Sequence, residues 1–162
     1  MRTKIMFVLV TAFALSFCLA ASQPATASDE EDVLEVLTNF AEAMNTNDTD
    51  LMSSLWLNSQ ETSIFGPPKG LAFLYQGHDL IMTWFEDMNK APLGSYVRSF
   101  HNPQVTMLDK NFALITAYSI LIINPPAVEE QFVSQERTSL VVQKTGGKWL
   151  IVHAHFSVLP TE

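Results

Sequence analysis

The chain is nearly free of cysteine. Of its 162 residues only Cys18 carries a thiol, and that residue falls inside an N-terminal apolar run. If that run is removed as a leader, the remaining chain has no disulfide to brace it and no thiol chemistry, so its stability must come from core packing. Positive charge is scarce too: 9 Lys and Arg stand against 17 Asp and Glu, a net charge of −8. Scattered Lys and Arg on an acidic chain exclude nucleic acid as a partner, because phosphate contacts need clustered positive charge. The same sign argues against docking on anionic lipid. No Gly-rich phosphate loop, Cys-x-x-Cys pair or nucleophile elbow occurs, and no cofactor or metal centre is expected. Internal repeats, linkers and low-complexity tracts are also missing.

What is present begins with a leader. Arg2 and Lys4 form a basic start, Ile5 to Ala21 is apolar, and Ala25-Thr26-Ala27 is a small-x-small cleavage site. This pattern predicts a signal peptide over residues 1–27, with Ala20 or Ala21 as alternative cut points, and a secreted or periplasmic destination. An apolar run of about 17 residues reaches only the short end of a spanning helix. Phe17 is too large for the position before a lipidated Cys18. Loss of Arg2 and Lys4 with the leader takes two from the nine basic side chains and brings the charge to −10. No membrane association is expected after that cut.

Residues 28–162 read as one domain. Hydrophobic residues make up 48% of the chain, enough for a core at this length. Ser28-Asp29-Glu30-Glu31 reads as a helix start with a capping box. Val33, Val36, Leu37, Phe40 and Met44 recur at helical spacing up to Asn45-Thr46-Asn47. A short second helix follows, capped by Asp48 or Thr49 and carrying Leu51, Met52, Leu55 and Trp56. Short strands at Glu61–Phe65 and Leu71–Tyr75 flank a Gly-Pro-Pro turn. A third helix opens at Gly77-His78-Asp79, with Leu80, Ile81, Trp84, Phe85 and Met88 on its apolar face. From Ser95 onward only strand-like runs remain: Tyr96–Leu108, Ala113–Ile123, Phe132–Lys144 and Trp149–Val158, with hairpin turns at Asp109-Lys110-Asn111 and Thr145-Gly146-Gly147-Lys148. Three helices on a strongly bent antiparallel sheet make a cone-shaped α+β domain.

Several segments carry a family likeness. They are Phe40-Ala41-Glu42-Ala43 with Asn47-Asp48, Gly77-His78-Asp79-Leu80-Ile81, Arg137-Thr138-Ser139, and the closing run from Gly147 to Ser157 with His153-Ala154-His155. Together with the element order they resemble the nuclear transport factor 2-like superfamily, in its SnoaL-like and kinase association-domain-like branch. The resemblance implies the cone fold. It also implies one of several roles, since members include isomerases, dehydratases, cyclases, ligand-binding modules and assembly domains.

The residues themselves offer a few chemical handles. His153 and His155 lie two apart on one strand and so share a face, on which Trp149, Ile151 and Ser157 are also expected. They are the candidate acid–base pair, although hydrogen-bonded fixtures of a sheet would read the same way. Arg137 lies in a run expected to be inner sheet, where an arginine needs a partner, either a ligand or Glu136 or Glu130. With a two-residue Gly146-Gly147 turn, Arg137 stands across from Phe156 and the histidines take the opposite face; a single bulge reverses that assignment. Tyr118 can donate to an oxyanion. Trp56, Trp84 and Phe65 can wall an apolar pocket, though aromatics at such spacing are more often core. No carboxylate reads as a buried base, Glu136 included. Ile120 to Ile123 is apolar at both parities, which predicts a second layer against the sheet, most simply a second copy. The function expected is an exported homodimer that binds a small apolar molecule. The alternatives are a cofactor-independent isomerase, dehydratase or cyclase, and an assembly module without ligand.

Overall fold

A computed structural model describes residues 27–66, 73–90, 95–125 and 130–159. The expected leader, its cleavage site and Cys18 lie outside the described residues, apart from Ala27 at the start of the first helix. That helix, α1 (Ala27–Thr46), lays Val33, Val36, Leu37, Phe40, Ala43 and Met44 into the core. The three-four spacing of these residues is what produces the buried stripe. The helix stops where Asn47 takes a left-handed φ of 56°, a conformation that a short polar side chain tolerates. Asp48 then caps α2 (Thr49–Leu55), its carboxylate accepting the Leu51 N–H at 2.8 Å.

β1 (Ser63–Gly66) and β2 (Phe73–Gln76) form a short hairpin. α3 (His78–Lys90) follows and buries Ile81, Met82 and Phe85, while Leu80 stays more than half exposed. β3 (Ser95–Met107), β4 (Phe112–Asn124), β5 (Phe132–Thr145) and β6 (Lys148–Val158) form the long meander. The sheet order is β2-β1-β6-β5-β4-β3. It is mixed rather than wholly antiparallel as expected from sequence, because β1 runs parallel to β6, with Ile64 across from Ala154. Trp56 begins that crossover with a parallel bridge to Ile151.

β5 alternates along most of its length, and β4 as far as Ser119. Ala113, Ile115, Ala117 and Ser119 on β4 and Ser134, Glu136, Thr138, Leu140 and Val142 on β5 are buried. These residues point to the inner face, under the helices. Two irregularities bend the sheet. At one, on the edge strand β3, the register slips between His101 and Gln104 around Asn102 (φ 51°) and Pro103; an edge tolerates the proline because no ladder bond is lost there. At the other, Val142 pairs with Ile151 but Val141 pairs with His153, so Val152 is an extra residue in β6.

Candidate functional site

The bulge at Val152 decides which residues share a face. Before it, Trp149 and Ile151 point inward and are buried. After it the phase flips, so that Ala154 and Phe156 point inward while His153, His155 and Ser157 point outward. Trp149 and Ile151 therefore do not share the histidine face, as a regular strand would have required. Arg137 pairs with Ser157, not Phe156, and is exposed on the outer face. Glu136 points the opposite way and is not its partner.

The outer face gathers most of the handles expected from sequence. His101, Tyr118, Arg137 and Ser157 form one row across β3 to β6. Thr116, Ser139, His155 and Phe65 form the next. The Phe65 and His155 rings lie 5.1 Å apart. His153 Nδ1 is 2.8 Å from the Ser63 hydroxyl. Partial burial, then the neighbouring His155, lowers the pKa of His153 below its ordinary value. Tyr118 is 53% exposed. These groups form an open surface, with no helix of the described residues over them. Trp56 and Trp84 lie on the other side of the sheet. Trp56 is buried in the Ile151 row, and Trp84 packs 6.1 Å from Tyr75.

The inner face holds a charged centre that the sequence reading missed. Arg98 on β3 reaches across β4 to Glu136 on β5, with Nη1 donating to Glu136 Oε2 at 2.7 Å; their side chains are 7% and 4% exposed. The same Nη1 donates to Ser119 Oγ at 3.2 Å, and Ser119 shares a hydrogen bond of 2.9 Å with Thr138. Ser134 donates to the other carboxylate oxygen, Oε1, at 3.3 Å. The guanidinium lies 4.4 Å from the centre of the Phe156 ring, which stacks on Phe40. Asn45, in the last turn of α1, clamps the Arg98 backbone. Its Oδ1 accepts the Arg98 N–H at 2.7 Å, and its amide donates to the Arg98 carbonyl at 3.0 Å.

Burial pushes the Arg98 guanidinium below its ordinary pKa, and Glu136 pulls it back up. An arginine beside a carboxylate stays a cation. Burial pushes the Tyr96 phenol up to about 12, against the pull of Arg98, so Tyr96 is neutral at physiological pH. Arg98 Nε is buried and has no hydrogen-bond partner among the described residues, and the same holds for the indole nitrogens of Trp56 and Trp149. A buried orphan on a charged group is costly and uncommon.

A second constellation mimics hydrolytic chemistry without supporting it. His78 Nε2 is 3.3 Å from Ser53 Oγ, and Nδ1 is 3.6 Å from Asp79. Nε2 also lies 3.4 Å from the Ser53 carbonyl. A proton on Nε2 suits that contact and denies Ser53 its base. Asp79 is 89% exposed and cannot hold the ring as a buried carboxylate does. This group reads as a tie between α2 and α3. No set of three or more His, Cys, Asp or Glu side chains able to hold a metal occurs among the described residues.

The SnoaL-like domain family matches residues 33–161, and the chain belongs to it. Solved structures share its fold at low identity. A nuclear transport factor 2-like superfamily protein from Salmonella enterica superposes with a TM-score of 0.75 at 18% identity, covering 85% of this chain and 95% of that one. A nuclear transport factor 2-like protein of unknown function from Pseudomonas putida gives 0.69 at 16% identity, covering 86% and 92%. A protein provisionally assigned as a scytalone dehydratase from Novosphingobium aromaticivorans gives 0.72 at 11% identity, covering 83% and 87%. Comparison with curated proteins finds no match.

Proposed function

We propose that this SnoaL-like domain is an exported small-molecule-binding protein whose ligand sits on the inner face of the sheet, against Arg98. The observation that carries this reading is the unpaired, buried Nε of a guanidinium whose Nη1 is held by Glu136 and Ser119 and whose face lies over Phe156. Such a donor is already fixed in place by its neighbours, so a ligand that reaches it does not have to order the side chain. Half-buried Phe100, Leu121 and Ile123 supply apolar walls beside it. Acid–base catalysis by His153 and His155 is disfavoured, since both imidazoles face away from this centre and a catalytic base must reach its substrate. The Glu136 carboxylate on this face is already engaged by Arg98 at 2.7 Å.

The test is a thermal-shift screen of apolar small molecules on wild type, Arg98→Lys and Arg137→Leu. A specific ligand raises Tm by mass action. The expected outcome is a shift retained in Arg137→Leu and lost in Arg98→Lys, which keeps the charge but not the Nε donor. A shift that survives Arg98→Lys, or one that vanishes in Arg137→Leu, overturns the assignment.

A second reading concerns the outer face, which we take as a homodimer interface. Among the described residues of β1 to β6 that point outward, no aspartate or glutamate occurs. In a chain with 17 acidic side chains that is a marked exclusion. Val97, Tyr118 and Val133 there are about half exposed, at 47%, 53% and 52%, and Ile120 and Ile122 are half-buried beside them. A charge-poor apolar surface of this kind suits a two-fold contact with its own copy.

A further inference from the structure

We infer that the ligand's anchoring group is an uncharged carbonyl oxygen on a largely aromatic or aliphatic body, and not a carboxylate or phosphate. This deepens the reading of the inner face given above and rests on it. The positive charge of Arg98 is already matched by Glu136 at 2.7 Å. Ser134 supports that carboxylate, and the described inward residues around it on β3, β4 and β5 add no second cation: they are Tyr96, Phe100, Leu121, Ile123 and Phe132 beside the hydroxyls of Ser119 and Thr138. The pair is therefore neutral as a unit.

An anion accepted by Nε would sit a few ångströms from Glu136, two negative charges sharing one cation in a poorly solvated place. Like charges that close disfavour one another strongly. A carbonyl oxygen avoids the conflict. It accepts the Nε proton, satisfies the orphan donor and brings no net charge. Phe40, with its ring centre 6.2 Å from that of Phe100 and 6.0 Å from that of Phe156, makes the surroundings aromatic and favours a flat apolar body. The net charge of −8 further disfavours anions through the long-range field.

The experiment measures binding of three matched probes, 2-acetylnaphthalene, 2-naphthoate and 2-ethylnaphthalene, by calorimetry and thermal shift. Wild type is expected to bind the ketone at least tenfold tighter than either of the others. Glu136→Gln removes the countercharge while keeping the shape. That variant is expected to reverse the order, with naphthoate gaining at least tenfold over the ketone. A purely structural role for Glu136 does not predict such a reversal. Naphthoate binding wild type as tightly as the ketone overturns the inference but leaves the inner-face site standing. Equal binding of ethylnaphthalene also overturns it, by removing the carbonyl's role. If none of the three binds wild type or Glu136→Gln, the inference and the inner-face reading fall together.

Discussion

The two faces of one sheet have been given opposite chemistry. The outer face displays the groups that look reactive in the sequence: two histidines, a tyrosine and Arg137, all partly or largely in solvent. The inner face is quieter in sequence but holds the buried ion pair of Arg98 and Glu136, the hydroxyls that support it and the aromatic rings beneath it. Adjacent residues along a strand point to opposite faces, and burial makes them unlike. A charge on the inner face must be matched, whereas one on the outer face can be left to water. The arginines at 98 and 137 are the sharpest instance: the same side chain is half of a buried ion pair at one position and a surface group at the other.

Substitution of each arginine in turn breaks that comparison most forcefully. Arg98→Leu strands the Glu136 carboxylate in the interior, and loss of one partner of a buried pair costs about 3–5 kcal/mol. Arg137→Leu is expected to change stability by no more than about 0.5 kcal/mol, as for a surface site without a special role. Urea unfolding of both variants measures the difference. The double variant Arg98→Leu with Glu136→Leu should recover most of the loss, because an apolar pair has no charge to desolvate. Equal effects from the two single variants would dissolve the distinction between the faces.

Much of the architecture was legible in the residues, and the reasons are local. Hydrophobic spacing placed α1 and α3, Asp48 or Thr49 marked the start of α2, with Asp48 the cap in the structure, and the turn residues bounded the four long strands to within a residue or so. Two things were not legible. The bulge at Val152 has no signature in a run of alternating apolar residues and histidines, yet it sets the face of everything that follows it in β6. The parallel pairing of β1 with β6 joins distant segments and leaves no local mark. The inner-face centre did leave a signal. Arg98 is in phase with Tyr96 and Phe100, and Glu136 is in phase with Leu140 and Val142. Opposite charges at core-phase positions on strands flanking a common neighbour are what a buried pair requires.

The outer face can be tested through its freedom from acid. If two copies meet there, one carboxylate in the patch appears twice across the two-fold contact and must be desolvated. Val133→Glu adds it at a site half exposed in the single chain, so the fold itself tolerates the change. Light scattering behind a sizing column should show wild type at twice the chain mass and Val133→Glu at the chain mass. A comparable Leu80→Glu change on α3, exposed but off this face, should leave the dimer intact. Wild type running as a single chain at tens of micromolar, or Val133→Glu still paired, removes the interface.

The smallest expected effect belongs to His153. Its pKa in the folded chain is lowered from the ordinary 6.5, first by burial and then by His155. The unfolded chain therefore binds the proton more readily than the folded one. Stability is full above pH 6.5 and declines as the pH falls from there toward the folded value, because protons favour the unfolded state over that window. Ser63 can hydrogen-bond the neutral ring, and no outward carboxylate among the described residues stands ready to pair with the charged one. His153→Gln keeps a polar partner for Ser63 and removes the titration. Urea midpoints between pH 7.5 and 5 should fall less steeply in that variant than in wild type, while Arg98 and Glu136 stay paired in both. An identical slope in the two proteins would mean that His153 is as free to protonate folded as unfolded, and that the outer face is wetter at β6 than its half-buried histidines indicate.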